Sequence, residues 1–127
     1  MSTLKTGKVK TTTIADELDT ESTAVTNVIN GSAKAWVNFN GTGTVAIRRG
    51  FNVSSITDLN TGWYQINFTT SMPDSDYSVT TASDSGIAYA SQCRMSALAT
   101  TYVSVFNYYG NSQAGLDANR ITVAIHR

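Results

Sequence analysis

The sequence predicts an all-β fold: an antiparallel β-sandwich of about seven to eight short strands, preceded by an extended or partly helical N-terminal arm. Three observations carry this expectation. Apolar and polar residues alternate with period two in short runs, in AKAWVNFN, TVAIRR, WYQINF, TYVSVFN and ITVAI. Asn, Gly, Asp and Ser separate these runs, as turn residues do. Thr and Val are frequent, while one Pro and three Met argue against a helical bundle.

Composition narrows the function classes. A chain of 127 residues buries a modest core. Charged residues are 14% of the chain, against about a quarter in an average protein. Nine Lys plus Arg balance nine Asp plus Glu, so there is no basic field for nucleic acid or anionic lipid. A neutral polar surface repels its own copies weakly, which permits self-association. Cys93 is the single cysteine, which excludes an intrachain disulfide. The opening Met-Ser-Thr-Leu-Lys has no apolar signal core, and no run reaches membrane-spanning length. The expectation is a protein made and kept in the cytoplasm, or released by lysis rather than secretion, with no membrane insertion.

The elements follow in order. Residues 1–32 carry scattered apolar side chains and no aromatic. Ile14, Leu18 and Val25 form part of a helical stripe through 14–29, with Thr12 and Thr13 ahead of Asp16 and Glu17 as a cap. The stripe is too thin to fold alone, which leaves two readings: a disordered tail, or an arm that orders against a partner. Residues 33–127 are the sandwich. In its first strand Ala35, Val37 and Phe39 share a face, with Trp36 and Asn38 opposite. A three-residue loop of Gly41, Thr42 and Gly43 sets Phe39 opposite Val45 and Val37 opposite Ile47. It gives Gly43 a positive φ and places Trp36 across from Arg48 as a cation–π pair. Gly50 breaks the next run. A loop over 58–62 pairs Ile56 with Tyr64, and a bulge near Ser54 and Ser55 then pairs Val53 with Ile66 and Phe51 with Phe68.

Met72, Pro73, Asp74, Ser75 and Asp76 form a turn or crossing before a strand with Tyr77, Val79 and Thr81 on one face. Residues 83–97 read as a weak strand with loops at each end. The run through 100–107 has Val103 and Val105 on one face and Tyr102 and Phe106 on the other, which suits a central strand or one facing a subunit neighbour. Residues 108–119, with two Gly, read as a long loop, and Ile121, Val123 and Ile125 mark a closing strand.

The motifs favour binding over catalysis. Gly41-Thr-Gly43-Thr-Val-Ala46 fits a dinucleotide fingerprint, but that fingerprint needs a helix after it, and here the run continues as a strand. His126 is the single histidine, which excludes a catalytic triad or a His-rich metal site. Cys93 reads as a small buried apolar residue. Asp58, Asp74, Asp76, Asp84 and Asp117 sit at turns, where a carboxylate caps local amides. No catalytic residue, cofactor or metal is expected, and the chain is read as a non-enzyme. The most suggestive surface feature is Tyr108-Tyr109-Gly110-Asn111. Adjacent aromatics on a glycine-rich loop stack on a sugar ring while Asn111 and Gln113 bond to it; alternatively one tyrosine points inward and the other caps the sandwich. Tyr108, Tyr109, Asn111 and Gln113 are therefore the candidate glycan contacts.

The stretch AKAWVNFNGTGTVAIRRGFNVSSITDLNTGWYQINFT resembles the recurrent module of bacteriophage tail-fibre and other virion-fibre proteins. The likeness continues through Met72-Pro-Asp-Ser-Asp-Tyr-Ser-Val79 and into Arg120-Ile-Thr-Val-Ala-Ile125. The resemblance implies a structural virion protein, usually a homotrimer, whose variable loops contact host-surface glycans. It supplies no catalytic positions. The chain is short beside long fibres, which raises a capsid-bound head fibre or a decoration protein. Residues 1–32 then become the attachment arm toward other virion proteins. A cement protein without ligand and a stand-alone carbohydrate-binding module are the alternatives.

Overall fold

A computed structural model of the chain describes residues 11–15, 22–86, 91–110 and 112–127. The chain divides into two units, Met1–Ser32 and Ala33–Arg127.

In the first unit, β1 (Thr13–Ala15) pairs antiparallel with β2 (Ser22–Ala24), with Ile14 opposite Thr23. The short helix α1 (Val25–Gly31) follows directly. The expected helical stripe through 14–29 is therefore corrected: Ile14 lies in a strand, and the helix begins at Val25. Thr11, Thr12, Thr13 and Ile14 are β-branched in succession, which costs rotamer freedom in a helix and suits extended backbone. Leu18, Asp16 and Glu17 lie outside the described residues. No side chain caps the start of α1 and none of its residues is buried. A helix of this length is not stable alone in water.

Among the described residues the second unit holds eight strands. They are β3 (Ala35–Asn40), β4 (Ala46–Phe51), β5 (Val53–Asn60), β6 (Trp63–Phe68), β7 (Ser78–Asp84), β8 (Ser91–Leu98), β9 (Tyr102–Tyr109) and β10 (Arg120–His126). They form two four-stranded antiparallel sheets, ordered β4-β3-β10-β7 and β5-β6-β9-β8. The result is the expected all-β sandwich. Period-two alternation sends one face of each central strand inward: Ala35, Val37 and Phe39 from β3, Ile121, Val123 and Ile125 from β10, Tyr64, Ile66 and Phe68 from β6, Val103 and Val105 from β9. Met72, Tyr77 and Ala118, from the crossings, complete the core. Phe39 meets Tyr64 edge to face at 5.2 Å, and Phe68 meets Tyr77 at 6.0 Å. Strand β9 is central, between β6 and β8, with Val103 and Val105 buried on its inner face and Tyr102, Phe106 and Tyr108 partly exposed on its outer face.

Two registers differ from expectation. Phe39 faces Ile47 and Asn40 faces Ala46, so the β3–β4 loop is wider than three residues. Asn40 closes it: its side-chain amide donates to Thr42 O (2.7 Å) and Thr44 O (3.2 Å), and its Oδ1 accepts from Thr42 Oγ1 (2.8 Å). Gly43 has the expected positive φ, +58°. The ladder then slips at Arg48, so Trp36 faces Phe51 rather than Arg48. Arg48 instead reaches across to donate to Asn119 O.

In the second hairpin the bulge does fall at Ser54, but Ile56 pairs with Ile66 and Val53 with Phe68. The turn is tighter than expected, with Asn60 opposite Trp63 and a second slip at Leu59. Phe51 belongs to the other sheet. Gly50 stays inside β4, and the break falls at Asn52, which has φ +54°. The Asn52 side chain donates to Lys34 O and Thr70 O, both at 3.1 Å, and accepts from Thr70 N–H at 2.7 Å. It is the corner at which the chain changes sheets.

Candidate functional site

Strand β9 extends further than the sequence suggests, so Tyr108 and Tyr109 close a strand rather than ride on a loop. Alternation turns them to opposite faces. Tyr109 pairs with Ser91, and its backbone holds the next turn by accepting from Gln113 N–H and donating to Ala114 O, each at 3.0 Å. Gln113 is exposed with φ +55°. Asn111 lies outside the described residues. Tyr108 and Tyr109 therefore do not form one stacking surface.

Tyr108 joins a different group on the outer face of the second sheet. One row across the strands runs Asn60, Trp63, Phe106, Arg94; the next pairs Tyr108 with Gln92. The Phe106 and Tyr108 rings lie nearly parallel, 5.6 Å apart with 12° between planes. The Arg94 guanidinium sits over both, 5.6 Å from the Phe106 centroid and 5.4 Å from that of Tyr108. Each such contact contributes about 0.5–1 kcal/mol at an exposed site. The Tyr108 hydroxyl donates to Gln92 Oε1 at 2.9 Å. Trp63 is 42% exposed, with its indole N–H donating to Ser96 Oγ at 3.1 Å.

Beside the aromatic row lies an amide and hydroxyl ladder. Gln65 faces Thr57 on one side and Ser104 on the other, and Asn67 faces Ser55 and Tyr102. Asn67 Nδ2 donates to Ser55 Oγ and Thr57 Oγ1, both at 3.0 Å, while Gln65 Nε2 donates to Asn67 Oδ1 at 2.7 Å. These bonds fix the ladder's side chains relative to one another. Alternation along 63–67 and 102–108 could have revealed the face, since Trp63, Gln65, Asn67, Tyr102, Phe106 and Tyr108 share one phase. Arg94 and Gln92 came from the stretch with the weakest strand pattern.

The loop after β9 buttresses this face from one end. Asn107 is fully buried; its N–H donates to Gly62 O at 2.7 Å and its side-chain amide to Leu116 O at 2.6 Å. Asp117 Oδ1 accepts from Gly62 N–H and from the Tyr64 hydroxyl, each at 2.7 Å, and that hydroxyl also lies 2.8 Å from Gly41 O. Burial, followed by the Asp117 bond, holds the Tyr64 phenol well above its ordinary value. A Cβ on Gly62 would lie 2.2 Å from Asn107 O, and one on Gly115 would lie 2.2 Å from Thr61 O. Only glycine lets these three segments close on one another.

The remaining expectations have plain positions. Cys93 packs half-buried against the core, and burial pushes its thiol up to about 11. His126 ends β10, its carbonyl accepting from Ser78 Oγ. Asp74 pairs with Arg127, which lowers the carboxyl below its usual range. The Gly41 to Ala46 motif joins two strands, so it offers no helix N-terminus to a pyrophosphate. Among the described residues no cluster of three His, Cys, Asp or Glu is placed to hold a metal ion. No family model matches the chain, and no match was found among curated proteins or solved structures.

Proposed function

We propose that this chain is a bacteriophage virion structural protein, a homotrimeric fibre or head-fibre appendage. Residues 33–127 form the projecting knob and residues 1–32 tie it to the particle, and the knob meets the host surface. The observation that carries the reading is the contrast between the units. The sandwich has a closed core of its own, whereas α1 buries no residue and leaves Val28 40% exposed, with Ile14 in β1 47% exposed. An element that cannot stabilise itself gains order by docking on a larger body.

The likeness to virion-fibre modules supports the same reading, since the matching stretches supply β3 through β6, the crossing into β7, and β10. Association of copies has support on the first sheet. Trp36 and Phe51 face each other across β3 and β4 on its outer side, 40% and 56% exposed, in one row with the small side chains of Ala124 and Thr80. Charge repulsion between copies is weak at zero net charge.

The test is electron microscopy of particles carrying the chain and of particles lacking it. Density lost as threefold projections, with residues 1–32 ordered against the particle, is the expected result. Identical particles would overturn the reading. The aromatic row favours a second reading, a carbohydrate-binding module that works alone; it predicts a monomer that holds sugar without any particle.

A further inference from the structure

The outer face of the second sheet offers three things together: an exposed indole, a cation held over two stacked rings, and a pre-bonded amide ladder. We infer that this face binds an acidic saccharide, with a pyranose ring laid on Trp63 and the acid group of the same or the adjoining sugar on Arg94. The inference rests on the proposed host-surface role and names the ligand class for it.

Aromatic planes match the apolar C–H faces of sugar rings, while their edges leave the ring hydroxyls to polar neighbours. Trp63 is the exposed indole, and Gln65 and Asn67 are the polar neighbours on the same strand and face. Trp63 and Arg94 are in one row with β9 between them, so their backbones are about 10 Å apart. That separation suits a short oligosaccharide lying across the strands.

Arg94 decides the charge of the ligand. Among the described residues no carboxylate pairs with it. Phe106 and Tyr108 fix its guanidinium, so its fork of donors is pre-oriented for a carboxylate or sulfate. Nucleic acid would also use aromatics and arginine, but it needs a basic groove along its backbone. Here the row of Asn60, Trp63, Phe106, Arg94 and the flanking Gln92, Gln65 and Asn67 contains one cation.

The experiment titrates the full chain with oligosaccharides bearing uronic or sialic acid, each beside its carboxyl-reduced counterpart, and with a single-stranded oligonucleotide. The Trp36→Phe background leaves Trp63 as the one indole reporter. The expected result is quenching by acidic members, with the neutral counterparts weaker by roughly tenfold, the scale of one charge-assisted hydrogen bond. Arg94→Gln abolishes the acid preference and lowers the unfolding midpoint only slightly, by the loss of its two ring contacts, leaving the chain folded under the titration conditions, and Arg94→Lys keeps part of the preference. Trp63→Ala, which carries no indole in that background and is therefore read by titration calorimetry, removes binding of both members. No binding across the panel, equal affinity for acidic and neutral members, or preference for the oligonucleotide would each overturn the inference. A trimer that binds no sugar refutes this inference and leaves the virion reading standing; a sugar-binding monomer does the reverse.

Discussion

Asn52 shows how much one side chain determines. It holds a left-handed backbone conformation and ties Lys34 and Thr70 together through three hydrogen bonds. Asn tolerates this conformation better than other residues with a Cβ, though glycine is freer. Asn52→Ala should therefore cost about 2–4 kcal/mol in denaturant unfolding, from lost bonds plus backbone strain. Asn52→Gly should cost less, because it relieves the strain and loses only the bonds. The reverse order would contradict the assignment of Asn52 as the corner.

Ionisation gives a second test on single residues. Tyr64, Tyr77 and Cys93 all have their proton affinities raised, by burial first in each case. A raised value means that the neutral form is favoured in the folded state. Their contribution is complete below the unfolded values, near 9 for the thiol and 10 for the phenols, and is lost as pH rises beyond them. Stability should fall above about pH 9, followed by urea midpoints, and Tyr64→Phe should make the alkaline part of that fall shallower. An unchanged alkaline slope in the variant would show that Tyr64 does not ionise on unfolding.

At the scale of elements, alternation told the inner faces of β3, β6, β9 and β10 correctly because each face is covered by the opposing sheet. Register was less legible. The slip at Arg48 depends on a carbonyl at Asn119, and the sheet change at Asn52 depends on Lys34 and Thr70. Neither partner is visible in a local pattern. The candidate site suffered in the same way. Adjacent tyrosines looked like a pair until β9 ran through them, whereas the actual neighbours of Tyr108 are Phe106, two residues back, and Arg94 and Gln92 on the next strand.

The glycines separate local from long-range constraints. Gly43 and Gly62 both have positive φ, but a Cβ on Gly43 meets nothing within 4 Å. Gly43→Ala should cost about 1 kcal/mol, the strain alone. Gly62→Ala should cost more than about 3 kcal/mol or prevent folding, since the added atom collides with the backbone at Asn107 and Leu116. Thermal or urea unfolding of the pair measures the difference, and equal costs would refute the clamp between the β5–β6 turn and the loop after β9.

For the whole molecule the proposal depends on association. The sandwich accounts for its own core, while Trp36 and Phe51 on one outer face, and Ile14 and Val28 in the first unit, are exposed. Replacing Trp36 and Phe51 together by Thr should shift the protein toward single chains, with an unfolding midpoint close to that of the parent diluted to single chains, because both side chains are already exposed in one chain. Sedimentation and urea unfolding on the same sample separate those effects.

The most direct measurement is the native mass of the full chain over a wide concentration range. The account predicts a species of three times the 13.6 kDa of one chain, dissociating only on dilution. A mass of one chain at every concentration would contradict it.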